Sequence, residues 1–312
     1  MLILKRAENV RRFARPSISF PNARTAFKAL LKSLDLSPED EILLPAYIGW
    51  SKAEGSGVFD PIREVGVKHR FYRVTRQLAI DFDDLRGQIA SGHPRLLLII
   101  HYFGYPDRNL ADIAEYARNH GVLVVEDEAH ALYSDWIGGI CGRSGDAAII
   151  SLHKMLPFAS GGLLILNDPV DASVRANAQC SALRVPLEGN PLDYDLASIS
   201  RARRRNALEL ANLLRPLQAR VTPLFSQLPD GVIPQTLPVI ITDRSRDDLY
   251  FRLNELGFGV VSLYHTLITS IPDSEFPDSH WLARRILNLP VHQDVPPGAL
   301  EAMVAQLERL LC

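Results

Sequence analysis

The stretch Gly121-Val-Leu-Val-Val-Glu-Asp-Glu-Ala-His-Ala131 decides the fold, together with Ala147-Ala-Ile-Ile-Ser-Leu-His-Lys154 further along the chain. Each is a short apolar run that ends at once in polar residues. Such a run is typical of a parallel strand that is covered on both faces. Ligands of open α/β sheets lie outside the carboxyl ends of the strands. We therefore expect Asp127, His130 and Lys154 at the ligand-binding edge of one sheet.

The rest of the chain repeats this alternation of apolar runs and helix-like segments. Further strands are predicted at residues 41–44, 95–100 and 163–166, which indicates an α/β fold with a mainly parallel sheet between helices. An irregular stretch at 179–195 precedes a long helix at 196–214, strands at 237–242 and 259–263, and a final helix. We therefore predict a large domain with an N-terminal arm, residues 1–195, and a smaller C-terminal α/β domain, residues 196–312.

Composition narrows the class of partner. Of 312 residues, 47% are hydrophobic and 22% charged, and the net charge is −2. These values are typical of a soluble globular protein and give no reason to expect nucleic acid or membrane as a partner. Cys141, Cys180 and Cys312 lack metal-ligand spacing, so we expect no metal. The apolar stretch at the amino terminus is too short for a signal peptide. Together with the odd number of cysteines, this favours reduced thiols in the cytoplasm.

Lys154 and the carboxylate pair Glu126 and Asp127 suggest the chemistry. A lysine amine can form a Schiff base with an aldehyde, and a carboxylate can keep a pyridine nitrogen protonated. Those are the two groups that pyridoxal 5'-phosphate (PLP) requires. Taken alone, a lysine after a strand is more often a solvated loop residue, and an acidic run is more often a cap or turn. The order of the segments is what favours the chemical interpretation.

The chain resembles the DegT-type (DegT/DnrJ/StrS) PLP-dependent sugar aminotransferases, which belong to the aspartate aminotransferase superfamily of fold type I. Six segments match the family's motifs in order. They are Asn22-Ala-Arg-Thr25, Ser37-Pro-Glu-Asp-Glu-Ile-Leu-Leu-Pro-Ala-Tyr47, His101-Tyr-Phe-Gly104, Val124-Val-Glu-Asp-Glu-Ala-His130, Ser151-Leu-His-Lys154 with Gly161-Gly162, and Phe276-Pro-Asp278 with Leu287-Asn-Leu-Pro-Val-His292.

The resemblance assigns catalytic roles to two residues. Lys154 matches the Schiff-base lysine, which moves a proton once its amine is free. Asp127 matches the aspartate that pairs with the pyridine nitrogen. His130 matches the glutamine or histidine beside the ring's phenolic oxygen, and Ser151 matches a serine that meets the phosphate.

The phosphate would lie at a helix N-terminus, where backbone N–H groups are unpaired. Asn22 is a good N-cap, and the family pattern places phosphate contacts at Ala23 and Arg24. The usual Gly-Thr pair of the family is Ala-Arg here. An aromatic plane normally covers the ring, and Tyr47 and Trp50 are both candidates, because spacing does not choose between them.

The resemblance implies an enzyme, an aminotransferase that takes an amino group from a donor such as glutamate. The acceptor would be a keto sugar, such as a nucleotide sugar, or a related carbonyl compound, and a homodimer would share the active site. Two alternatives remain open. One is a PLP-dependent sugar dehydratase or lyase, in which histidine replaces the lysine. The other is a diverged, non-catalytic protein that binds a sugar or a partner, which the altered phosphate segment and the short chain favour.

Overall fold

A computed structural model describes residues 15–311 of the protein. The start of the expected N-terminal arm (residues 1–14), the amino terminus that argued against a signal peptide, and Cys312 lie outside the described residues. Of the two cysteines within the described part, Cys141 is buried, Cys180 is exposed, and both are free thiols. No helix between residues 15 and 311 is long and apolar enough to cross a membrane.

Seven strands form the main sheet, in the spatial order β1-β7-β6-β5-β4-β2-β3. Their bounds are β1 Ser17–Phe20, β2 Glu41–Pro45, β3 Lys68–Tyr72, β4 Leu96–Ile100, β5 Leu123–Asp127, β6 Ala147–Ser151 and β7 Gly162–Leu166. Strands β3, β2, β4, β5 and β6 run parallel. At one edge β7 runs in the opposite direction, and β1, which pairs with β7 antiparallel, again runs in the direction of the other five. The predicted α/β fold with a mainly parallel, mixed sheet is confirmed.

Apolar continuity explains why the central strands form. Every residue of β4, β6 and β7 is buried, as expected for strands that are covered on both faces by helices. The helices that belong to this region are α1 Ala23–Ser33, α2 Phe59–Val65, α3 Phe82–Gly92, α4 Leu110–Asn119, α5 Leu132–Trp136 and α6 Ala172–Gln179. Helix α1 packs against β6 and β7, which brings its first turn to the sheet edge where the site lies.

A second, antiparallel sheet lies beyond residue 195. It has the order β10-β9-β8, with β8 Val221–Pro223, β9 Thr236–Ile241 and β10 Ile286–Pro290. The helices around it are α7 Leu196–Leu213, α8 Arg246–Glu255, α9 Pro277–Arg285 and α10 Ala299–Leu311. Apart from α9, whose buried residues Leu282 and Ala283 pack into the main core, these elements share a separate hydrophobic core. The domain boundary at residue 195 stays a prediction that this separate core supports.

The strand predicted at 259–263 does not form. Only Val261 pairs there, in an isolated bridge with Asn288 of β10. The chain then leaves β10 and reaches the loop after β2, where Leu267 forms a second isolated bridge with Gly49. A segment that pairs at a single residue does not form a continuous strand, so the apolar run of this segment was a misleading signal.

Candidate active site

The carboxyl ends of β5 and β6 open into a cavity of about 550 Å³. The parallel register of the two strands places Asp127, at the end of β5, beside Ile149 of β6. Among the residues predicted from sequence, Asp127, His130, Ser151 and Lys154 line this cavity, as do Ala23, Arg24 and Trp50. The cavity is within the usual range for small-molecule and cofactor sites.

Lys154 and His130 meet inside the cavity, with 3.4 Å between Lys154 Nζ and His130 Nε2. His130 is buried, and its Nδ1 accepts a hydrogen bond from the Phe103 N–H at 3.3 Å. Burial, together with the Lys154 charge, holds the pKa of His130 well below its usual range, so the imidazole is neutral. With Nδ1 accepting, the proton belongs on Nε2, which therefore faces Lys154 as a donor.

The side chain of Lys154 is exposed because it borders the open cavity, but protein atoms surround it on its other sides. Desolvation by the surrounding protein lowers its pKa, while the negative charge of Asp127 partly offsets that effect. A lowered pKa makes the neutral amine more available near neutral pH than in a solvated lysine. A neutral amine can accept the hydrogen bond that His130 offers, and it is also the nucleophilic form.

Asp127 is half-buried at the end of β5 and has few polar partners. Its Oδ1 accepts a hydrogen bond from the Ala129 N–H at 2.8 Å. Desolvation raises the pKa of the carboxyl, and the Ala129 hydrogen bond and the positive charge of Lys154 oppose the rise. A cationic partner would stabilise the ionised form of this carboxyl, because a nearby positive charge lowers its pKa.

The first turn of α1 supplies anion-binding groups at the other end of the cavity. Asn22 caps the helix, as predicted, because its side chain accepts from the Thr25 N–H at 2.9 Å. The Ala23 and Arg24 N–H groups have no partner within the helix, and both residues line the cavity. Unpaired amides at a helix N-terminus are suited to bind a phosphate.

Gly162 allows this helix end to approach the sheet. A Cβ at Gly162 would lie 2.1 Å from the carbonyl carbon of Asn22 and 2.5 Å from the nitrogen of Ala23. Gly161 holds the same junction through its N–H, which donates to the Pro21 carbonyl at 2.7 Å. The Gly-Gly pair therefore sets the position of the α1 amides. Ser151 also lines the cavity, and its Oγ lies 3.3 Å from His153 Nδ1.

The Arg24 side chain turns toward the loop after β2. Its guanidinium donates a hydrogen bond to the Glu54 carbonyl and lies 3.8 Å from the Asp60 carboxylate. The backbone of Arg24 therefore lies at the N-terminus of α1, whereas its guanidinium contacts the loop that borders the cavity.

The two aromatic candidates occupy different environments. Tyr47 is fully buried and is not among the residues that line the cavity. Trp50 lines the cavity and is 45% exposed. A third aromatic residue, Tyr264, also lines the cavity and was missed by the sequence analysis. Its position depends on a long connection between two sheets, for which sequence gives no signal.

A buried hydrogen-bonded pair of side chains lies behind the cavity. His101 Nε2 is 2.7 Å from a carboxylate oxygen of Glu126, and both side chains are fully buried. The Glu126 carboxylate also accepts the N–H groups of Gly142 and Gly145, each at 2.6 Å. These hydrogen bonds outweigh the cost of burial and lower the pKa of Glu126. Glu126 is therefore an ionised structural residue.

Glu128 belongs to the same buried region but behaves differently. Burial and the neighbouring charges of Asp135 and Glu126 raise its pKa well above the usual range. In its protonated form it can donate a hydrogen bond to Asp135, which pairs with Arg15. Potential ligand atoms of His101, Glu128 and Cys141 lie within 4.8 Å of one another. The sequence spacing gave no indication of this cluster.

Comparison with known proteins agrees with the geometry. The family profile of the DegT/DnrJ/EryC1/StrS aminotransferases matches residues 8–185. A dTDP-4-dehydro-2,3,6-trideoxy-D-glucose 4-aminotransferase of Saccharopolyspora spinosa is 26% identical, covering 94% of this chain and 84% of the relative.

Two solved structures illustrate the shared fold. DesV of S. venezuelae is 18% identical, covering 96% of this chain and 86% of that chain, with a TM-score of 0.77. Spr1654 of Streptococcus pneumoniae, solved in its PLP form, is 16% identical, covering 96% of this chain and 89% of that chain, with a TM-score of 0.78. The family profile spans more than half of the chain and confirms the resemblance seen in the sequence. This protein is a member of the DegT/DnrJ/EryC1/StrS aminotransferase family.

Proposed function

We propose that this protein is a PLP-dependent aminotransferase that moves an amino group from an amino acid donor such as glutamate to a keto sugar. One observation carries the proposal: an amine, a half-buried carboxyl and unpaired helix amides all line the same cavity. These belong to Lys154, Asp127 and the first turn of α1.

The residues present fit PLP at each of its polar ends. The Ala23 and Arg24 amides and the Ser151 hydroxyl would hold the phosphate, and Gly162 keeps these amides close to the sheet. Asp127 would hold the ring nitrogen, and Lys154 would bind the aldehyde carbon. When bound there, PLP supplies an electron sink for the bonds of the substrate's amine-bearing carbon. The Spr1654 structure in its PLP form supports this choice of cofactor.

Asp127 would act by holding a proton on the ring nitrogen. Its pKa is raised in the cavity, and the positive ring nitrogen would favour the ionised carboxylate. The Ala129 N–H keeps one carboxyl oxygen in place at 2.8 Å. The residue is therefore oriented before the cofactor arrives.

Lys154 would be both the attachment point and the proton carrier. Its lowered pKa favours the neutral amine, which can take a proton from the substrate carbon and return it to the neighbouring cofactor carbon. His130, neutral and with its proton on Nε2, would donate a hydrogen bond to this amine or to the ring's phenolic oxygen. The presence of Lys154 is what separates this proposal from the dehydratase reaction.

The Saccharopolyspora relative, by its name, aminates a 4-keto deoxysugar carried on dTDP, and this supports a keto sugar as the acceptor here. We also propose that the protein works as a cytoplasmic homodimer with a shared active site.

The test is an absorbance spectrum of the purified protein with PLP, before and after excess glutamate. We expect a visible band from the lysine-bound cofactor in the wild type, bleaching by glutamate, and no band in Lys154→Ala. Lys52→Ala is the matched control, because Lys52 is an exposed lysine on the loop after β2. Recovery of the band should then require an acceptor, and dTDP-4-keto sugars should be compared with simple keto acids.

Each alternative has its own signature. No band in the wild type would contradict the cofactor assignment and favour a non-catalytic protein. A band that neither glutamate nor other amino acids bleach would contradict transamination and favour a dehydratase or lyase. Bleaching followed by recovery with keto acids alone would refute the keto sugar as acceptor.

A further inference from the structure

The residues assigned so far would hold the polar ends of the cofactor but leave open which side chain covers the face of its ring. A pyridine ring held by Asp127 presents two faces, and an aromatic side chain on one face contributes stacking energy as well as excluding water. Trp50 and Tyr264 both line the cavity, whereas Tyr47 is buried behind it. Phe27 of α1 lines the cavity as well. The choice between Trp50 and Tyr264 depends on which of them is fixed on the same side of the cavity as Asp127.

Tyr264 lies on the segment of residues 261–268, which we call the crossing loop. At one end, Val261 exchanges two backbone hydrogen bonds with Asn288, both at 3.0 Å. At the other end, the Thr266 carbonyl accepts from the Trp50 N–H at 2.9 Å, and the Ile268 N–H donates to the Ile48 carbonyl at 3.0 Å. The crossing loop is therefore attached to β10 at one end and to the loop after β2 at the other, and Tyr264 lies between these two attachments.

Gly49 provides the space in which Tyr264 stands. A Cβ at Gly49 would lie 3.0 Å from Cδ1 of Tyr264 and 3.3 Å from its Cα. An alanine at position 49 would therefore require the tyrosine to move by a few tenths of an ångström. The ring of Tyr264 also packs 5.2 Å from the ring of Tyr47 and 5.8 Å from that of His130, measured between centroids. Tyr264 is thus seated in an aromatic wall rather than at the open mouth.

The backbone of Tyr264 is unusual. Its φ is +58°, in the left-handed region that non-glycine residues rarely adopt. Such strain persists where the surroundings over-determine it, and it is concentrated at ligand-binding positions. Tyr264 and Asp127 line the same cavity, and burial together with the charge of Asp127 raises the pKa of the Tyr264 hydroxyl well above its usual range. Trp50, by contrast, is 45% exposed.

We propose, on the basis of the proposed PLP function, that Tyr264 covers one face of the cofactor ring and so links the crossing loop to cofactor binding. The aromatic cover then comes from the C-terminal part of the chain, while the phosphate and ring-nitrogen sites come from the main sheet. Binding of the cofactor would fix the crossing loop against β10 and the loop after β2.

The test is a titration of the cofactor-free protein with PLP, followed by absorbance and by circular dichroism of the cofactor band. Tyr264→Leu keeps an apolar side chain but removes the ring, and we expect it to weaken binding about tenfold, or about 1.4 kcal/mol. The dichroism of the band should also fall, because the chiral contact with the ring is lost. Tyr264→Phe keeps the ring and should bind PLP within about threefold of the wild type.

Two further variants complete the design. Phe251→Leu is the matched control, since Phe251 is 62% exposed on α8, and it should leave both readouts unchanged. Trp50→Leu should have a smaller effect than Tyr264→Leu. Urea unfolding of each cofactor-free variant separates loss of folding from loss of binding.

Several results would overturn the assignment. Unchanged binding and dichroism in a folded Tyr264→Leu variant would contradict it while leaving the proposed function intact. A larger loss in Trp50→Leu would move the cover to Trp50, and tighter binding in Tyr264→Leu would mean that the tyrosine obstructs the ring. A wild type that takes up no PLP would refute both this inference and the proposed function.

Discussion

Replacing Asp127 by asparagine should separate stability from activity. The asparagine oxygen can still accept the hydrogen bond from the Ala129 N–H, so the shape of the site is kept. The change removes only the ability to carry a negative charge. We therefore expect Asp127→Asn to fold normally, to take up PLP on Lys154, and to lose most of its turnover.

The sign of the stability effect follows from the pKa of Asp127, which is raised in the folded protein. The unfolded chain releases this proton at lower pH than the folded chain, so the wild type loses stability as the pH rises through the raised pKa. Asp127→Asn lacks this loss. At pH 8 and without cofactor, we expect an unfolding free energy equal to the wild type's or higher by about 1 kcal/mol.

The effect on turnover has the opposite sign and is larger. Removing one preorganised electrostatic partner of a reacting group typically costs about 10²- to 10³-fold in rate, or about 3–4 kcal/mol. We expect a loss of this order in the glutamate half-reaction. Stopped-flow absorbance measures that rate, and urea unfolding of the cofactor-free protein at pH 6 and pH 8 measures stability.

Asp112→Asn is the matched control, because Asp112 is an exposed carboxylate on α4. It should leave turnover unchanged and alter stability by less than about 0.5 kcal/mol. A clear loss of stability in Asp127→Asn with normal turnover would refute the reasoning, since Asp127 would then be a structural carboxylate.

The remaining predictions concern the buried acids, the helix junction and the lysine. Glu126→Gln should lose about 2–4 kcal/mol of stability at pH 7 in urea unfolding, because one of three donors to its carboxylate would face an NH₂ group. Glu128→Gln should be neutral or stabilising, increasingly so as the pH rises above 4.5, because its raised pKa costs the wild type stability there; destabilisation at pH 8 would contradict this. Gly162→Ala should cost about 1–3 kcal/mol and weaken PLP binding in a titration, whereas Gly87→Ala, with open space around it in α3, should do neither. The rate of PLP uptake by the cofactor-free protein should rise with pH with a midpoint below 10.5, because the pKa of Lys154 is lowered; a midpoint at or above that value would argue against the desolvated amine.

Sequence could predict those parts of the site that adjoin strongly patterned strands. The apolar runs of β5 and β6 fixed where each strand ends, and the parallel sheet then brought Asp127 and Lys154 to one edge. The N-cap at Asn22 was also predictable, because its side chain and the following amphipathic run are local features. The roles of these residues in cofactor binding stay predictions until the experiments above are done.

Positions set by distant contacts were not predictable. The apolar run 259–263 indicated a strand, but only Val261 pairs there, with Asn288 of β10, and the chain then crosses to the loop after β2, where Leu267 pairs with Gly49. Tyr264 therefore had no sequence signal. The proximity of His101, Glu128 and Cys141 likewise depends on three loops meeting behind the main sheet.

The three consecutive acids at the end of β5 show how strand geometry divides chemical roles. Successive side chains of a strand point to opposite faces, so Glu126 and Glu128 share one side while Asp127 takes the other. The inner side offers Glu126 three donors, which lower its pKa, and leaves Glu128 beside like charges, which raise its pKa. Only Asp127 opens onto the cavity that Lys154 also lines. A one-residue shift in the register of β5 would turn the Asp127 carboxyl away from the cavity and turn the Glu126 and Glu128 carboxyls toward it. The reason is that successive side chains alternate between the two faces of a strand. The hydrogen bonds from His101, Gly142 and Gly145 to Glu126 therefore fix the position of Asp127 as well as stabilising the sheet.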